Sequence, residues 1–192
     1  KLANALGYAH LDTGKFYRTV GMSVVEAGEN PANEEAALRA ARSLEPQMVV
    51  NKDLLGDIAA ASASKVAAIR SVRAILLAFQ REFANAPPNR AKGAVLDGRD
   101  IGTVVCPDAD IKLFVTASTE VRAKRRHKEL LDRGEPSIYS RVLQDMKVRD
   151  KRDEGRAVAP LKPTHDALVI DTSELDADAV FETAMNIVSE DA

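Results

Sequence analysis

Cysteine and aromatic residues are scarce in this chain of 192 residues, and tryptophan is absent. The one cysteine, Cys106, excludes an internal disulfide and fits a reducing cytosol, with a small buried hydrophobe as its default role. The sequence shows no cysteine cluster and no closely spaced histidines, so it predicts no zinc site. His10, His127 and His165 lie far apart, and we assign them no role. The aromatic content of 4% argues against base stacking on single-stranded nucleic acid.

Long hydrophobic runs are also missing, and no apolar run approaches the roughly 18 residues of a membrane span. A hydrophobic content of 45% favours one folded domain with a substantial core. Charge is uneven, because residues 122–156 hold 12 Lys and Arg against 7 Asp and Glu, whereas the rest of the chain holds 15 against 22. Such a cationic segment favours a compact anion such as a nucleoside phosphate, although a solvated helix face gives the same pattern.

A short apolar run, Ala94–Leu96, ends abruptly in Asp97-Gly98-Arg99-Asp100. A second apolar run follows at 111–115, and the two predict strands of a parallel α/β sheet. Residues just beyond the carboxyl ends of such strands line ligand crevices, so we expect Arg99 and Asp100 to bind a ligand. A polar turn is the alternative interpretation.

Another strand is predicted at Tyr8–Leu11, where Asp12-Thr13-Gly14 forms its polar end and a helix begins around Lys15. The Thr13 hydroxyl, the amides of the helix start and Arg18 together would make an anion site. Taken alone, the same residues fit a capping turn.

Helical patterns account for most of the remaining chain. Asn33 caps a helix that runs towards Leu44, and apolar spacing predicts one or two helices over 58–83. Ser64 and Arg73 lie near that apolar stripe without belonging to it and are candidates to face a pocket, and on the pattern alone Ser62, Lys65 and Arg70 are equal candidates. A last strand at 167–171 and a helix at 177–189 close the chain.

Two basic helices are predicted over Val121–Arg133 and over about 138–152, with a break at 134–137. The second ends in a dense charged string, in which one helical face carries Arg149, Arg152, Asp153 and Arg156. Two arginine-rich helices joined by a loop fit a lid that closes over phosphates.

Three blocks of sequence, in this order, carry a resemblance to a known family. They are Leu11–Gly14 with Tyr17-Arg18, then Asp97–Val105, then Arg149–Asp153 with Arg156–Leu161. With these blocks the chain resembles the bacterial cytidylate kinases, which are nucleoside monophosphate kinases of the P-loop class, over nearly its whole length. Adenylate kinases resemble the same plan but carry a Gly-Phe-Pro-Arg run in place of Gly98-Arg99-Asp100.

The resemblance implies a P-loop kinase fold, with three α/β/α layers around a parallel sheet. The core is expected over 1–28, 84–121 and 157–192, a helical monophosphate-binding insert over 29–83, and the lid over 122–156. The family's glycine-rich phosphate loop would precede Lys1. We therefore expect a strand–loop–helix unit of roughly 25 residues to be missing, and the chain that starts at Lys1 to be inactive on its own. The fold of 44–57 is not predicted.

The implied activity is transfer of the γ-phosphoryl group of ATP to CMP or dCMP. Thr13, Arg18 and Arg99 would hold the acceptor phosphate, beside Asp12, and Asp100 with Ser64 and Arg73 would read the base. Arg149 and Asp153 would meet the sugar. The implied catalytic residues are Arg149, Arg152 and Arg156. Arg122 and Arg126 would contact ATP, and Asp97 would hold Mg²⁺ through water.

The implied partners are ATP and CMP or dCMP, with Mg²⁺ as cofactor. No nucleic acid and no membrane are expected, and the protein is expected to be a cytoplasmic monomer. Two alternatives remain open. One is a non-catalytic nucleotide-binding protein without a phosphate loop, which the acceptor-site residues argue against. The other is an RNA-binding module that uses the basic helices. Such a module would need exposed aromatic residues or an extended basic patch, and Tyr139 is the only aromatic residue within 122–156.

Overall fold

The structure, a computed structural model, describes residues 1–44, 54, 56–155 and 161–190. Within these residues the chain is a mixed α/β protein, as expected. In order, its elements are α1 (Leu2–Leu6), β1 (Ala9–Asp12), α2 (Thr13–Glu26), α3 (Glu34–Arg42), α4 (Asp57–Val66), α5 (Arg70–Asn85), β2 (Ala94–Asp97), β3 (Leu113–Thr116), α6 (Thr119–Asp132), α7 (Tyr139–Glu154), β4 (Leu168–Asp171) and α8 (Ala177–Glu190). Among the described helices, none combines the length and the apolar character needed to cross a membrane.

The described strands pair in parallel, as the sequence predicts, and form two pairs. β1 pairs with β2, with Asp12 opposite Asp97, and β3 pairs with β4, with Thr116 opposite Asp171. In a parallel pair both carboxyl ends lie at the same edge, which is the edge where ligands bind in α/β sheets. Each pair therefore brings together the polar residues that follow its two strands.

The chain divides into two compact units. We call Ala3–Gly98 the N-terminal unit, and Lys1–Leu2 together with Arg99–Ala192 the C-terminal unit. The finer division into core, insert and lid stays a prediction.

The N-terminal unit is built around packed helices. Its α2 packs against α3 and α4, and α3 packs against α5. The buried cluster that results consists of Val20, Ala37, Ala41, Leu44, Val66, Val72 and Leu76. The apolar stripe predicted within 58–83 consists of Val66, Ile69, Val72, Leu76 and Phe79, and three of these five, namely Val66, Val72 and Leu76, are buried. Ile69 packs on the cluster, whereas Phe79 is 38% exposed and stacks on Phe16, with ring centroids 6.4 Å apart.

The bounds of two predicted helices differ from the structure. The helix expected around Lys15 begins at Thr13, so the first turn of α2 includes residues that were assigned to the strand end. The stretch 58–83 forms two helices, α4 and α5, separated at 67–69. Asn33 caps α3 as predicted, since its Oδ1 accepts a hydrogen bond from the Ala36 amide at 3.0 Å.

The C-terminal unit combines the β3–β4 pair with the two basic helices, α6 and α7, which pack against each other. Ser118 caps α6, because its Oγ accepts from the Val121 amide. A π-helical turn at Ile101–Val105 was not predicted, and the Cys106 amide donates across it to Ile101 O at 2.7 Å. Such turns occur often at functional sites.

Candidate functional site

The carboxyl end of β1 carries an ion pair that lies over a glycine. Arg18 Nη2 donates to Asp12 Oδ2 at 2.7 Å, and both side chains are mostly buried. A Cβ atom on Gly14 would lie 2.9 Å from Arg18 Nη1 and 3.1 Å from Asp12 Oδ1. Both distances are shorter than ordinary contacts, so a side chain at this position would displace the Arg18 guanidinium and the Asp12 carboxylate from their present positions. Two of the predicted substrate-binding residues, Asp12 and Arg18, are therefore in contact.

Arg18 has a buried donor that no described residue satisfies. Its Nε is shielded from solvent and lacks a hydrogen-bond partner in the described part of the chain. An unmet buried donor costs about 1–3 kcal/mol. A phosphate oxygen is one acceptor that would remove this cost if the guanidinium turned to meet it.

The carboxyl end of β2 is hydrogen-bonded to the start of α2. Thr13, which is buried, donates from its hydroxyl to the backbone oxygen of Asp97 at 2.8 Å. The Asp97 side chain is 61% exposed, and its Oδ2 lies 2.7 Å from His10 Nε2. This pair was missed, because no role was assigned to His10. The pattern that could have revealed it is the alternation along β1, which places His10 and Asp12 on one face.

Asp97 fits a water-mediated magnesium site by its chemistry. Mg²⁺ prefers oxygen ligands and keeps several waters, so one or two carboxylates together with substrate phosphates suffice. Asp97 offers an exposed carboxylate at the end of a strand. The described residues contain no group of three or more His, Cys, Asp or Glu side chains that would hold a metal alone.

Ser64 and Arg73 lie on α4 and α5 of the same unit, and both are partly buried. α4 is held close to α2, since a Cβ atom on Gly21 would lie 2.6 Å from Ser62 Oγ. The packing of α4 therefore fixes the distance between Ser64 and the helix that begins at Thr13.

In the C-terminal unit, one buried carboxylate joins two predicted site arginines. Arg99 Nη1 donates to Asp153 Oδ2, and Arg149 Nε lies 3.9 Å from the same oxygen. The Asp153 side chain is only 4% exposed, so its charge depends on these partners. The i, i+4 relation of Arg149 and Asp153 matches the predicted helical face.

Arg122 holds the start of α6 to the end of α7. Its guanidinium donates to both oxygens of Asp150 at 2.8 and 2.9 Å, to Thr119 Oγ1 at 2.9 Å and, through Nε, to Ala117 O at 2.9 Å. These bonds from Arg122 lower the pKa of Asp150 below its usual value, against the opposing effect of burial. The partner of Arg122 was not predicted, because 28 residues separate it from Asp150.

A cavity of about 310 Å³ opens between these side chains in the C-terminal unit. Five arginines contribute to its lining, namely Arg99, Arg122, Arg125, Arg126 and Arg149, with Glu129 and Asp150 as the acidic members. Arg126 Nη1 bonds Glu129 at 2.9 Å. The excess of guanidinium groups makes this cavity suitable for a phosphate-bearing ligand.

Three further predicted site residues are Asp100, Arg152 and Arg156. Asp100 is partly buried and immediately precedes the π-helical turn, where its backbone oxygen accepts from the Val104 amide at 2.9 Å. Arg152 lies on α7, but its side chain is outside the described residues, and Arg156 is outside them altogether.

The geometry therefore defines an α/β protein with paired arginine and aspartate side chains at the carboxyl ends of parallel strands. A family model described as cytidylate kinase matches residues 1–190. The chain is 58% identical to a cytidylate kinase of Paramagnetospirillum magneticum over 188 residues, which is 98% of this chain and 89% of that protein. It is also similar to cytidylate kinases of Rhodospirillum rubrum, at 52% identity over 98% of this chain and 89% of the relative, and Methylocella silvestris, at 50% over 98% and 85%. The chain belongs to the cytidylate kinase family.

Proposed function

We propose that this protein transfers the γ-phosphoryl group of ATP to CMP or dCMP and releases CDP or dCDP with ADP. Membership of the cytidylate kinase family supports this reaction. The structural observation that carries it is the cluster at the carboxyl ends of β1 and β2, where Asp12, Thr13, Arg18 and Asp97 lie together. Phosphoryl transfer needs little covalent chemistry from the protein, so positioned arginines, a metal ion and exclusion of water suffice.

The acceptor phosphate would be held by Arg18, Arg99 and the backbone amide of Thr13 at the start of α2, since the Thr13 hydroxyl already donates to the Asp97 backbone oxygen. Guanidinium groups suit this role because they bond phosphate oxygens in pairs. Arg18 already has a donor without an acceptor, which favours an anion beside it. Asp12, bonded to Arg18, would keep the guanidinium aligned before the substrate arrives.

The base would be read by Asp100 with Ser64 and Arg73. A carboxylate accepts a hydrogen bond from the 4-amino group of cytosine, whereas uracil presents a carbonyl at that position. Asp100 would then favour cytosine and oppose uracil, because two acceptors would face each other.

The sugar hydroxyls would contact Arg149 and Asp153. Arg149 would also face the transferred phosphoryl group, together with Arg152 and Arg156, because a guanidinium stabilises the charge that spreads over the phosphoryl oxygens. Asp153 supports this arrangement, since it lies within 3.9 Å of Arg149 Nε.

Mg²⁺ would supply charge neutralisation between the β- and γ-phosphates. Asp97 would hold it through a water molecule, as its exposed carboxylate allows. Arg122 and Arg126 would face ATP. Each would exchange part of its bonding to an acidic partner, Asp150 for Arg122 and Glu129 for Arg126, for bonds to ATP.

ATP and CMP or dCMP are thus the proposed partners, and we assign no part to nucleic acid or membrane. A single cysteine fits the reducing cytoplasm, where we place the protein, and we propose that it acts as a monomer.

The direct test is turnover by the purified full-length protein with ATP, Mg²⁺ and each nucleoside monophosphate in turn, followed by separation of the diphosphates. We expect CMP and dCMP to be phosphorylated in preference to UMP and AMP. A preference for AMP would overturn the assignment. Binding of CMP without any turnover would favour the non-catalytic alternative.

A further inference from the structure

A contact between two side chains on β1 and β2 lies outside the roles assigned above. His10 Nε2 lies 2.7 Å from Asp97 Oδ2. An ionised carboxylate has only acceptor oxygens, so Nε2 carries the hydrogen and donates it. We propose that His10 is a positioning residue, which orients the Asp97 carboxylate towards magnesium-bound water. This inference rests on the proposed kinase function.

The register of the strands explains why Asp97 needs such a partner. Asp12 and Asp97 are directly opposite each other in the parallel pair. Like charges at opposite positions repel each other, so each carboxylate tends to turn away unless a donor holds it. Arg18 holds Asp12 and His10 holds Asp97. The two carboxylates therefore have separate donors and fixed, different directions.

The backbone of Asp97 is held in place, so the direction of its carboxylate is what a neighbouring donor can change. The Thr13 hydroxyl fixes the backbone of Asp97, because it donates to the carbonyl oxygen at 2.8 Å. Among the described residues, the bond from His10 is the one hydrogen bond to the Asp97 side chain, so it sets the side-chain torsions. With Oδ2 engaged by the imidazole, the direction of Oδ1 is set as well.

The solvent exposure of His10 and Asp97 indicates that their contact affects ligand binding more than it affects the stability of the protein. The His10 and Asp97 side chains are 53% and 61% exposed. Ion pairs as exposed as this one add little to the stability of a protein. A hydrogen bond to a metal-binding group, in contrast, changes metal affinity by about 10- to 100-fold when it is lost. Because Asp97 would act through water, we expect an effect near the lower end of this range.

The test compares variants of the full-length protein at one fixed pH. His10→Leu removes the donor, and His10→Gln keeps an amide donor at similar reach. Asp97→Asn removes the carboxylate charge. His165→Leu is the matched control, because the side chain of His165 is 97% exposed and we assign it no role. A thermal melt of each variant checks that it folds, and His10→Ala replaces His10→Leu if the larger side chain prevents folding.

Two measurements are made on each variant. The first is the rate of CMP phosphorylation against free Mg²⁺, with ATP and CMP saturating. The second is binding of Mn²⁺ in the presence of ADP, followed by loss of the free Mn²⁺ signal in electron paramagnetic resonance. This second measurement requires no turnover, so it tests His10 even if CMP is not the acceptor.

We expect His10→Leu to raise the half-saturating Mg²⁺ concentration about tenfold and to weaken Mn²⁺ binding by a similar factor, with the KM for CMP unchanged. His10→Gln should remain close to the wild type, and His165→Leu should match it. Equal Mn²⁺ binding by the wild type and His10→Leu would overturn the inference. So would unchanged Mn²⁺ binding by Asp97→Asn, because His10 acts only through Asp97. Failure of the wild type to phosphorylate CMP would instead overturn the proposed function.

Discussion

Replacement of Asp153 by asparagine tests the contact that joins Arg99 to α7. The carboxylate of Asp153 is 4% exposed and accepts from Arg99, whose side chain is 32% exposed. Arg149 Nε lies 3.9 Å from the same oxygen. Asp153→Asn keeps the shape of the side chain and an acceptor oxygen, but it removes the negative charge. The variant therefore isolates the charge-assisted part of the interaction.

Two effects of opposite sign decide the change in stability. Loss of a hydrogen bond between charged groups costs about 1.5–3 kcal/mol. Removal of a negative charge from the last turn of a helix gains about 0.3–1 kcal/mol, because the helix dipole disfavours an anion there. The net loss expected in the free energy of unfolding is then about 1–2 kcal/mol. For a protein of this size it corresponds to a fall in Tm of about 2–8 °C.

Urea denaturation of four proteins measures the interaction directly. They are the wild type, Asp153→Asn, Arg99→Gln and the double variant, and we expect a coupling energy of about 1 kcal/mol between the two positions. Asp145→Asn is the control, since Asp145 is an exposed carboxylate on the same helix. A coupling energy of zero would refute the reasoning, because it would mean that Arg99 and Asp153 do not interact in solution.

Three further predictions concern other parts of the chain. Asp100→Asn should lower kcat/KM for CMP and narrow the preference for CMP over UMP by at least about tenfold, since the amide can hydrogen-bond to cytosine or to uracil. If steady-state assays showed an equal loss of kcat/KM for both nucleotides, base recognition would be assigned to Ser64 and Arg73 instead. Gly21→Ala should destabilise the protein by about 1–3 kcal/mol in thermal denaturation, because the new Cβ would lie 2.6 Å from Ser62 Oγ. This cost exceeds the gain of about 0.5–1 kcal/mol that comes from replacing a glycine within a helix. A variant more stable than the wild type would contradict the prediction. The bond from Lys112 lowers the pKa of Asp166 from 3.8 to about 2. The stabilisation that the ionised Asp166 provides should therefore be complete above pH 3.8 and lost as the pH falls towards 2. Urea denaturation across this range should show the free energies of unfolding of the wild type and Asp166→Asn converging at its acid end.

Local patterns in the sequence predicted most of the elements, because their causes are local. Apolar runs predicted the strands, and Asn33 predicted the start of α3, because its capping bond to the Ala36 amide spans only three residues. The start of α2 was placed too late for the same reason. Asp-Thr-Gly reads as a polar turn unless the Asp12–Arg18 pair above Gly14 is known. That pair becomes visible only when the helix has formed.

Contacts between distant residues could not be predicted from spacing. Arg122 donates four hydrogen bonds to Asp150, Thr119 and Ala117, and none of these partners was predicted. Nothing in the sequence around Arg122 indicates which of the seven acidic residues of 122–156 it meets. The π-helical turn at Ile101–Val105 was missed for another reason, because residue propensities do not distinguish it from an ordinary turn.

The same electrostatic arrangement, an arginine paired with an aspartate, occurs separately in each of the two units. Arg18 is paired with Asp12, Arg99 with Asp153, and Arg122 with Asp150. A phosphate that arrives at such an arginine exchanges one anionic partner for another, so the arginine is never left in a poorly hydrated place without a counter-charge. The carboxylates therefore have two opposing effects on a nucleotide. They orient the guanidinium groups in advance, which favours binding, and they compete for the same donors, which weakens it. If orientation dominates, Asp153→Asn raises the KM for CMP along with its cost in stability; if competition dominates, the same variant lowers the KM while still losing stability.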